Sequence, residues 1–164
     1  MQPTVEKAFN TQIRHELDSG YLYLSMSAHF EAANLPGFAR WMRLQAQEEL
    51  DHAMRLYDHV VERGGRVVLQ GIEKPQSDFG APLSIFEAAL AHEKKITALI
   101  EKLYETVVAK KDYAAQLALQ WFIKEQVEEE QSAGTVVEQL KLVGDNPAAL
   151  LMLDRQLGAR AGGD

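Results

Sequence analysis

Gln47-Glu48-Glu49-Leu50-Asp51-His52 sits in the middle of a long helical pattern and breaks it chemically without breaking its period. The apolar positions around it step by three and four: Phe38, Met42, Gln45, Glu49, His52, Leu56, Val60. Glu49 and His52 therefore stand at i and i+3 on the helix face that should be buried. An ionised glutamate in a core costs several kcal/mol or more unless it is paired or bound to a cation. Something must compensate it.

Upstream, residues 4–33 form one amphipathic segment without internal proline. Its stripe is Phe9, Ile13, Glu16, Gly20, Tyr23, Ser27, Phe30. Asn34-Leu35-Pro36-Gly37 ends it, and a second helix over about 37–63 stops at Gly64-Gly65. A break this short makes the two helices antiparallel neighbours. Residues 65–82 then lack a helical pattern: Val67-Val68-Leu69 is extended in character, and Pro75, Gly80 and Pro82 keep the rest irregular. About 18 residues at roughly 3.3 Å each reach ~60 Å, whereas a helix of about 27 residues is only ~40 Å long. The connection can cross the whole bundle and leave helices two and three parallel.

Helix three is expected over 84–109, opened by a Ser84-Ile85-Phe86-Glu87 capping box. Its stripe reads Phe86, Leu90, Glu93, Thr97, Ile100, Tyr104, Val107. Asp112 suits the N-cap of a fourth helix over 113–143, with the stripe Leu119, Phe122, Gln126, Glu129, Ala133, Val136, Leu140, Val143. Gly144 stops it, and Asn146-Pro147 opens a short fifth helix over 147–157. Gly158 to Asp164 is expected to fray. Nothing alternates at period two for long enough to form a sheet. The expectation is an all-α single domain, residues 1–164: four long helices, one long crossover and a short C-terminal helix.

Every long stripe carries polar residues: Glu16, then Glu49 and His52, then Glu93, then Gln126 and Glu129. Glu16 and Glu49 are 33 residues apart, as are Glu93 and Gln126, so the chain reads as two related helix pairs. One glutamate from each of two helices and an i, i+3 pair from each of the others is the arrangement of di-metal carboxylate bundles. Four converging carboxylates would repel, and two divalent ions would balance them. Oxygen donors with one imidazole suit Fe(II) or Mn(II), with zinc as a competitor.

Composition narrows the classes. The formal net charge is −7 and the pI about 5.3, which favours cations over a nucleic-acid partner. With no cysteine, disulfides, thiolate metal sites and cysteine nucleophiles are excluded. No run of about 18 apolar residues could span a membrane. Met1-Gln2-Pro3 leads directly into the amphipathic pattern, so a cytoplasmic protein is the expectation.

Along nearly its whole length the chain resembles a bacterial non-haem ferritin. The resemblance rests on His15-Glu16, Gln47-Glu48-Glu49-Leu50-Asp51-His52, His92-Glu93 and the run Gln120 to Glu130. It implies a ferritin-like bundle with a ferroxidase centre of Glu16, Glu49, His52, Glu93, Gln126 and Glu129. Glu16 and His52 would serve one iron and Glu93 and Glu129 the other. Glu49 would bridge them, with Gln126 in an orienting role. It further implies a third iron site from Glu48, Glu125 and Glu128 with Glu129 shared, and Tyr23 and Trp121 as aromatic neighbours of the centre. Oxidation of Fe(II) by dioxygen or peroxide and storage of the ferric mineral in a hollow shell of 24 subunits would follow.

Departures from related families are informative. Leu50 stands where bacterioferritin has its haem-ligating Met, and a second Glu-x-x-His is replaced by Gln126-x-x-Glu129, so no haem is expected. DNA-protecting mini-ferritins lack the fifth helix, and rubrerythrin-like peroxidases use cysteine-ligated iron. A cage without a catalytic centre would lack these ligands. The altered pair on helix four is expected to make the second iron position more labile. The fifth helix, with Leu150, Leu151, Met152, Leu153 and Leu157, is expected to seek partners outside the subunit. His15, His29, His59 and His92 are read as surface or edge residues.

Overall fold

In the computed structural model, residues 1–159 are described. They form α1 (Pro3–Ala32), α2 (Pro36–Glu62), α3 (Pro82–Ala109), α4 (Tyr113–Val143) and α5 (Pro147–Gly158), with no strand among them. The tail expected to fray lies, from residue 160 on, outside the described residues.

Local chemistry explains most boundaries. Asp112 accepts from Ala115 N at the start of α4, and Asn146 accepts from Ala148 N and Ala149 N at the start of α5. Gly64 takes a left-handed φ of 67° just past α2, so the chain can turn without a Cβ penalty. One boundary corrects the sequence reading. The α3 N-cap is Ala81, without a side-chain cap, and Pro82 is already helical. Proline's fixed φ suits the first helical position, and Ser84 lies inside the helix instead of capping it.

The buried face of α3 is also rotated from the expected one. Ile85, Ala89, Ile96 and Leu103 are buried, while Leu90, Thr97 and Tyr104 are half-buried. Both flanks of this helix are apolar, so a three-four step and a four-three step read equally well in sequence.

Ring contacts establish the directions. Phe38 and Trp41, early in α2, meet Phe86, early in α3, at 5.7 and 5.1 Å between centroids, so these two helices run parallel. The crossover makes this possible by running along α1. Glu6 and Asn10 accept from Arg66 N and Val68 N. Asp18 accepts from Glu73 N, Ser25 Oγ donates to Gln76 O, and His29 Nε2 lies 3.2 Å from Gly80 O. These side chains satisfy backbone groups that a strap without secondary structure would otherwise leave to water.

α5 docks differently from expectation. Leu153 is buried, and Leu150 and Leu157 pack against the subunit's own core, leaving Leu151 and Met152 exposed. The reason is a cap supplied from 116 residues away: the α2 N-terminus has no side-chain cap of its own, and Phe38 N donates to buried Asp154 Oδ1 at 2.9 Å. A Cβ at Gly37 would stand 1.7 Å from Asp154 O, so only glycine allows this approach.

Two apolar cores result. One gathers Tyr23, Met26, Phe30, Phe38, Trp41, Met42, Phe86 and Leu153 at the α5 end. The other gathers Val5, Phe9, Ile13, Leu56, Ile100, Leu119 and Phe122 at the opposite end. A polar layer separates them.

Candidate metal centre

That layer holds Glu16, Glu49, His52, Glu93, Gln126 and Glu129, all buried, one contribution from each long helix and a second from α2 and α4. Ligand atoms of Glu16, Glu49 and His52 all lie within 4.8 Å of one another. A second group, His52, Glu125 and Glu129, meets the same criterion. His52 belongs to both.

The two helix pairs treat their carboxylates differently. On the α1/α2 side, Gln12 Nε2 donates to Glu16 Oε1 at 2.8 Å, while Glu16 Oε2 is buried without a hydrogen-bond partner. Glu49 Oε2 is likewise buried and accepts no hydrogen bond, although His52 Nδ1 is 3.5 Å away. On the α3/α4 side, Tyr23 O–H donates to Glu93 Oε1, and Gln126 Nε2 lies 3.2 Å from Glu93 Oε2. Gln45 Nε2 donates to Glu129 Oε2 at 2.7 Å.

Electrostatics follow from burial. Loss of solvation raises the Glu16 and Glu49 carboxyls above the usual range. Glu49 is pushed further by the charges of Glu16 and Glu93. The hydrogen bond from Gln12 works the other way on Glu16, favouring its ionised form. Burial lifts Glu93 to about 7, against the opposing hydrogen bonds from Tyr23 and Gln126. Desolvation and the neighbouring carboxylates raise the Tyr23 phenol well above its usual value. Empty, the layer stays partly protonated; a divalent cation would displace those protons.

The remaining predicted residues fall at the rim. Glu48 and Glu125 are half-buried, and Glu128 is exposed with its carboxylate 3.5 Å from Lys124 Nζ. Trp121 meets His52 edge-on at 5.3 Å and carries the Arg55 guanidinium 4.0 Å above its ring. The histidines off the stripe, His15, His29, His59 and His92, are all half-buried edge residues, as expected. His92 Nε2 lies 2.7 Å from Ser19 Oγ, and burial lowers its pKa to about 4. His59 stacks on Phe9 at 5.0 Å.

Sequence reasoning missed two residues of the layer. Gln45 stands in the α2 stripe and was visible there as one more polar interruption. Gln12 is buried three residues after Phe9 and four before Glu16, a step that fits the helical period as well as the expected one through Ile13. Gln12 lines a cavity of about 360 Å³ between α1 and α3, together with Lys7, His15 and Lys102.

Four long helices enclosing a buried layer of glutamates and one histidine define a carboxylate-rich four-helix bundle of the kind that holds metal ions between its helices. The comparison with known proteins narrows that class. The ferritin-like domain family matches residues 6–143. The bacterial non-heme ferritin of Bacteroides fragilis is 40% identical over 156 residues, covering 95% of this chain and 97% of that protein. That of Staphylococcus aureus is 34% identical over 154 residues, covering 94% and 93%. Among solved structures, an engineered closed form of the Archaeoglobus fulgidus ferritin is 47% identical, with a TM-score of 0.98 and 99% of each chain covered. The open-pore ferritin of that archaeon is 46% identical, with a TM-score of 0.97 over 98% of this chain and 99% of the other. The chain belongs to the ferritin family, and its function is the storage of iron.

Proposed function

We propose that this protein oxidises Fe(II) at a two-iron ferroxidase centre inside each subunit and stores the product as a ferric mineral in a hollow oligomeric shell. The observation that carries this reading is the pair of buried, unpartnered oxygens, Glu16 Oε2 and Glu49 Oε2, beside His52. Buried anionic oxygens without donors are costly, and a cation among them would remove that cost. Glu16 and His52 serve one iron, Glu93 and Glu129 the other, and Glu49 bridges. Gln126 orients Glu93.

Iron is the substrate here. Two Fe(II) each lose one electron, and dioxygen with two protons becomes hydrogen peroxide; with peroxide as oxidant the product is water. The carboxylates stabilise the extra positive charge of Fe(III), which a neutral donor set would not. The apolar cores on both sides limit access of water to the layer. A third iron station at the rim is part of the same proposal. Glu48, Glu125, Glu128 and Glu129 are its sequence-derived ligands, and the grouping of His52 with Glu125 and Glu129 favours the part of that set nearest the centre. Exposed Leu151 and Met152 support assembly through α5, in a shell of 24 subunits by family resemblance. A cytoplasmic location belongs to this reading; among the described residues no helix is long and apolar enough to cross a membrane.

The test is anaerobic Fe(II) titration followed by oxygen, comparing the native protein with Glu49→Ala/His52→Ala. Fast oxidation of about two irons per chain and growth of a mineral core are expected, with the fast phase lost in the variant. Two tightly held irons with no core growth would leave a di-iron bundle and remove storage from the reading.

A further inference from the structure

Three glutamines lie buried in the polar layer, and each donates its amide to a different glutamate. Gln12 reaches Glu16 Oε1 along α1, Gln45 reaches Glu129 Oε2 across from α2 to α4, and Gln126 reaches Glu93 Oε2 across from α4 to α3. Glu49, between them, has its Oε2 buried with no donor.

A primary amide has a property that a lysine or arginine would lack in these places. It donates a hydrogen bond and adds no net charge, so it fixes a carboxylate without competing with a cation for its field. A carboxylate oxygen that accepts from an amide has one of its lone pairs taken and is the poorer donor to a metal, so the opposite oxygen binds first. A carboxylate with both oxygens available can chelate or bridge. Glu16 illustrates this: Oε1 is held by Gln12, and Oε2, which no protein group donates to, is the better donor to a cation beside Glu49 and His52.

We infer that Gln12 and Gln45 are positioning residues of the centre, each weakening as a metal donor the oxygen it holds on Glu16 or Glu129 and so leaving the bridge between the two irons to Glu49. Removing outer groups that orient ligands typically costs about ten- to a hundredfold in metal affinity; here the amide occupies an oxygen that could itself bind, so its removal acts in the opposite direction. Each amide acts through its carboxylate and touches no iron. The two are independent in the fold: Gln12 lies within one helix at the edge of a cavity, and Gln45 ties two helices together in the core. The inference rests on the two-iron reading above.

Co(II) is the probe, because its visible spectrum reports coordination number without any oxidation step. Bands are strong for four-coordinate ions and weaken as further oxygens bind. The native protein, Gln12→Leu and Gln45→Leu are titrated without oxygen, after circular dichroism and thermal melting confirm that each is folded. We expect two Co(II) per chain in all three. Absorbance per ion should fall in both variants, as the released glutamate chelates, and Co(II) should leave the altered position at least several-fold more slowly on challenge with a chelator. Spectra and release rates equal to the native ones in both folded variants would overturn the inference. So would loss of one ion from a folded variant, because the glutamate would then depend on its amide to bind at all. Failure of the native protein to bind two Co(II) would instead strike the two-iron reading itself.

Discussion

Glu16 and Glu93 hold matching places in the two helix pairs, 33 residues ahead of Glu49 and Gln126, yet their surroundings have diverged. Glu16 has one amide on one oxygen and nothing on the other. Glu93 has a phenol on Oε1 and an amide on Oε2. Their neighbours differ in the same sense: Glu49 Oε2 is left without a donor, and Glu129 is held by Gln45. Related segments can thus supply equivalent ligands while the protein decides separately how far each is satisfied before a metal arrives. The α1/α2 half is left in need of a cation. The α3/α4 half is satisfied by protein donors, which a metal must displace or share, and the proposed lability of the second position would follow from that.

The largest expected effect separates the halves by stoichiometry. Glu93→Ala/Glu129→Ala removes the proposed ligands of the second half and leaves Glu16, Glu49 and His52, whose ligand atoms already converge. Calorimetric titration with Co(II) should then find one tight ion per chain. The same titration of Glu49→Ala/His52→Ala should find none, because the proposed bridge and the only imidazole of the layer are gone. Equal losses in the two variants would make the halves equivalent and end the comparison.

Protonation gives the next test. Glu93 sits near 7 in the folded protein against about 4.3 in an unfolded chain, and the Glu16–Glu49 pair is raised in the same direction. A carboxyl whose folded pKa is raised binds more protons folded than unfolded. Its contribution is fully present below the unfolded value and is lost as pH rises through the folded one. The metal-free protein should therefore be less stable at pH 8 than at pH 5 by roughly 3 kcal/mol from Glu93 alone. Saturating Zn(II) should abolish that loss at pH 8, and its binding should release protons. Chemical denaturation at the two pH values, with and without metal, measures both; a metal-free protein indifferent to pH over this range would mean that its carboxylates are already solvated.

Much of this architecture was legible in the sequence because the signals are periodic. The stripes of α1, α2 and α4, the polar interruptions and the length of the crossover all follow from spacing and reach. What was not legible depends on groups far apart in the chain. Asp154 caps α2 only because α5 folds back on it, so the fifth helix looked like a free apolar face when most of that face is covered within the subunit. The rotation of α3 was hidden because Ile85, Ala89 and Leu90 are all acceptable core residues. Gln12 and Gln45 were invisible as a pair because nothing in a one-dimensional pattern says which carboxylate an amide will reach.

Tyr23 offers the smallest expected effect and the finest test of the comparison. Its hydroxyl donates to Glu93, and it is fully buried with its ring perpendicular to that of His92. If it belongs to the donor set that satisfies the second half, its role is electrostatic and is felt before any oxidation. A hydrogen bond to a charged group contributes about 1.5–3 kcal/mol, which corresponds to roughly one to two pKa units. Tyr23→Phe should then raise the pH midpoint for occupation of the second position by about that much, leaving the first position unmoved. Anaerobic Co(II) titrations between pH 6 and 8 read this directly. If those titrations match the native protein while oxidation of Fe(II) slows, the phenol acts on the electrons and not on the carboxylate. Glu93 would then owe its satisfaction to Gln126 alone, and the difference between the halves would narrow to Gln12, Gln45 and Gln126, one amide to each carboxylate outside Glu49.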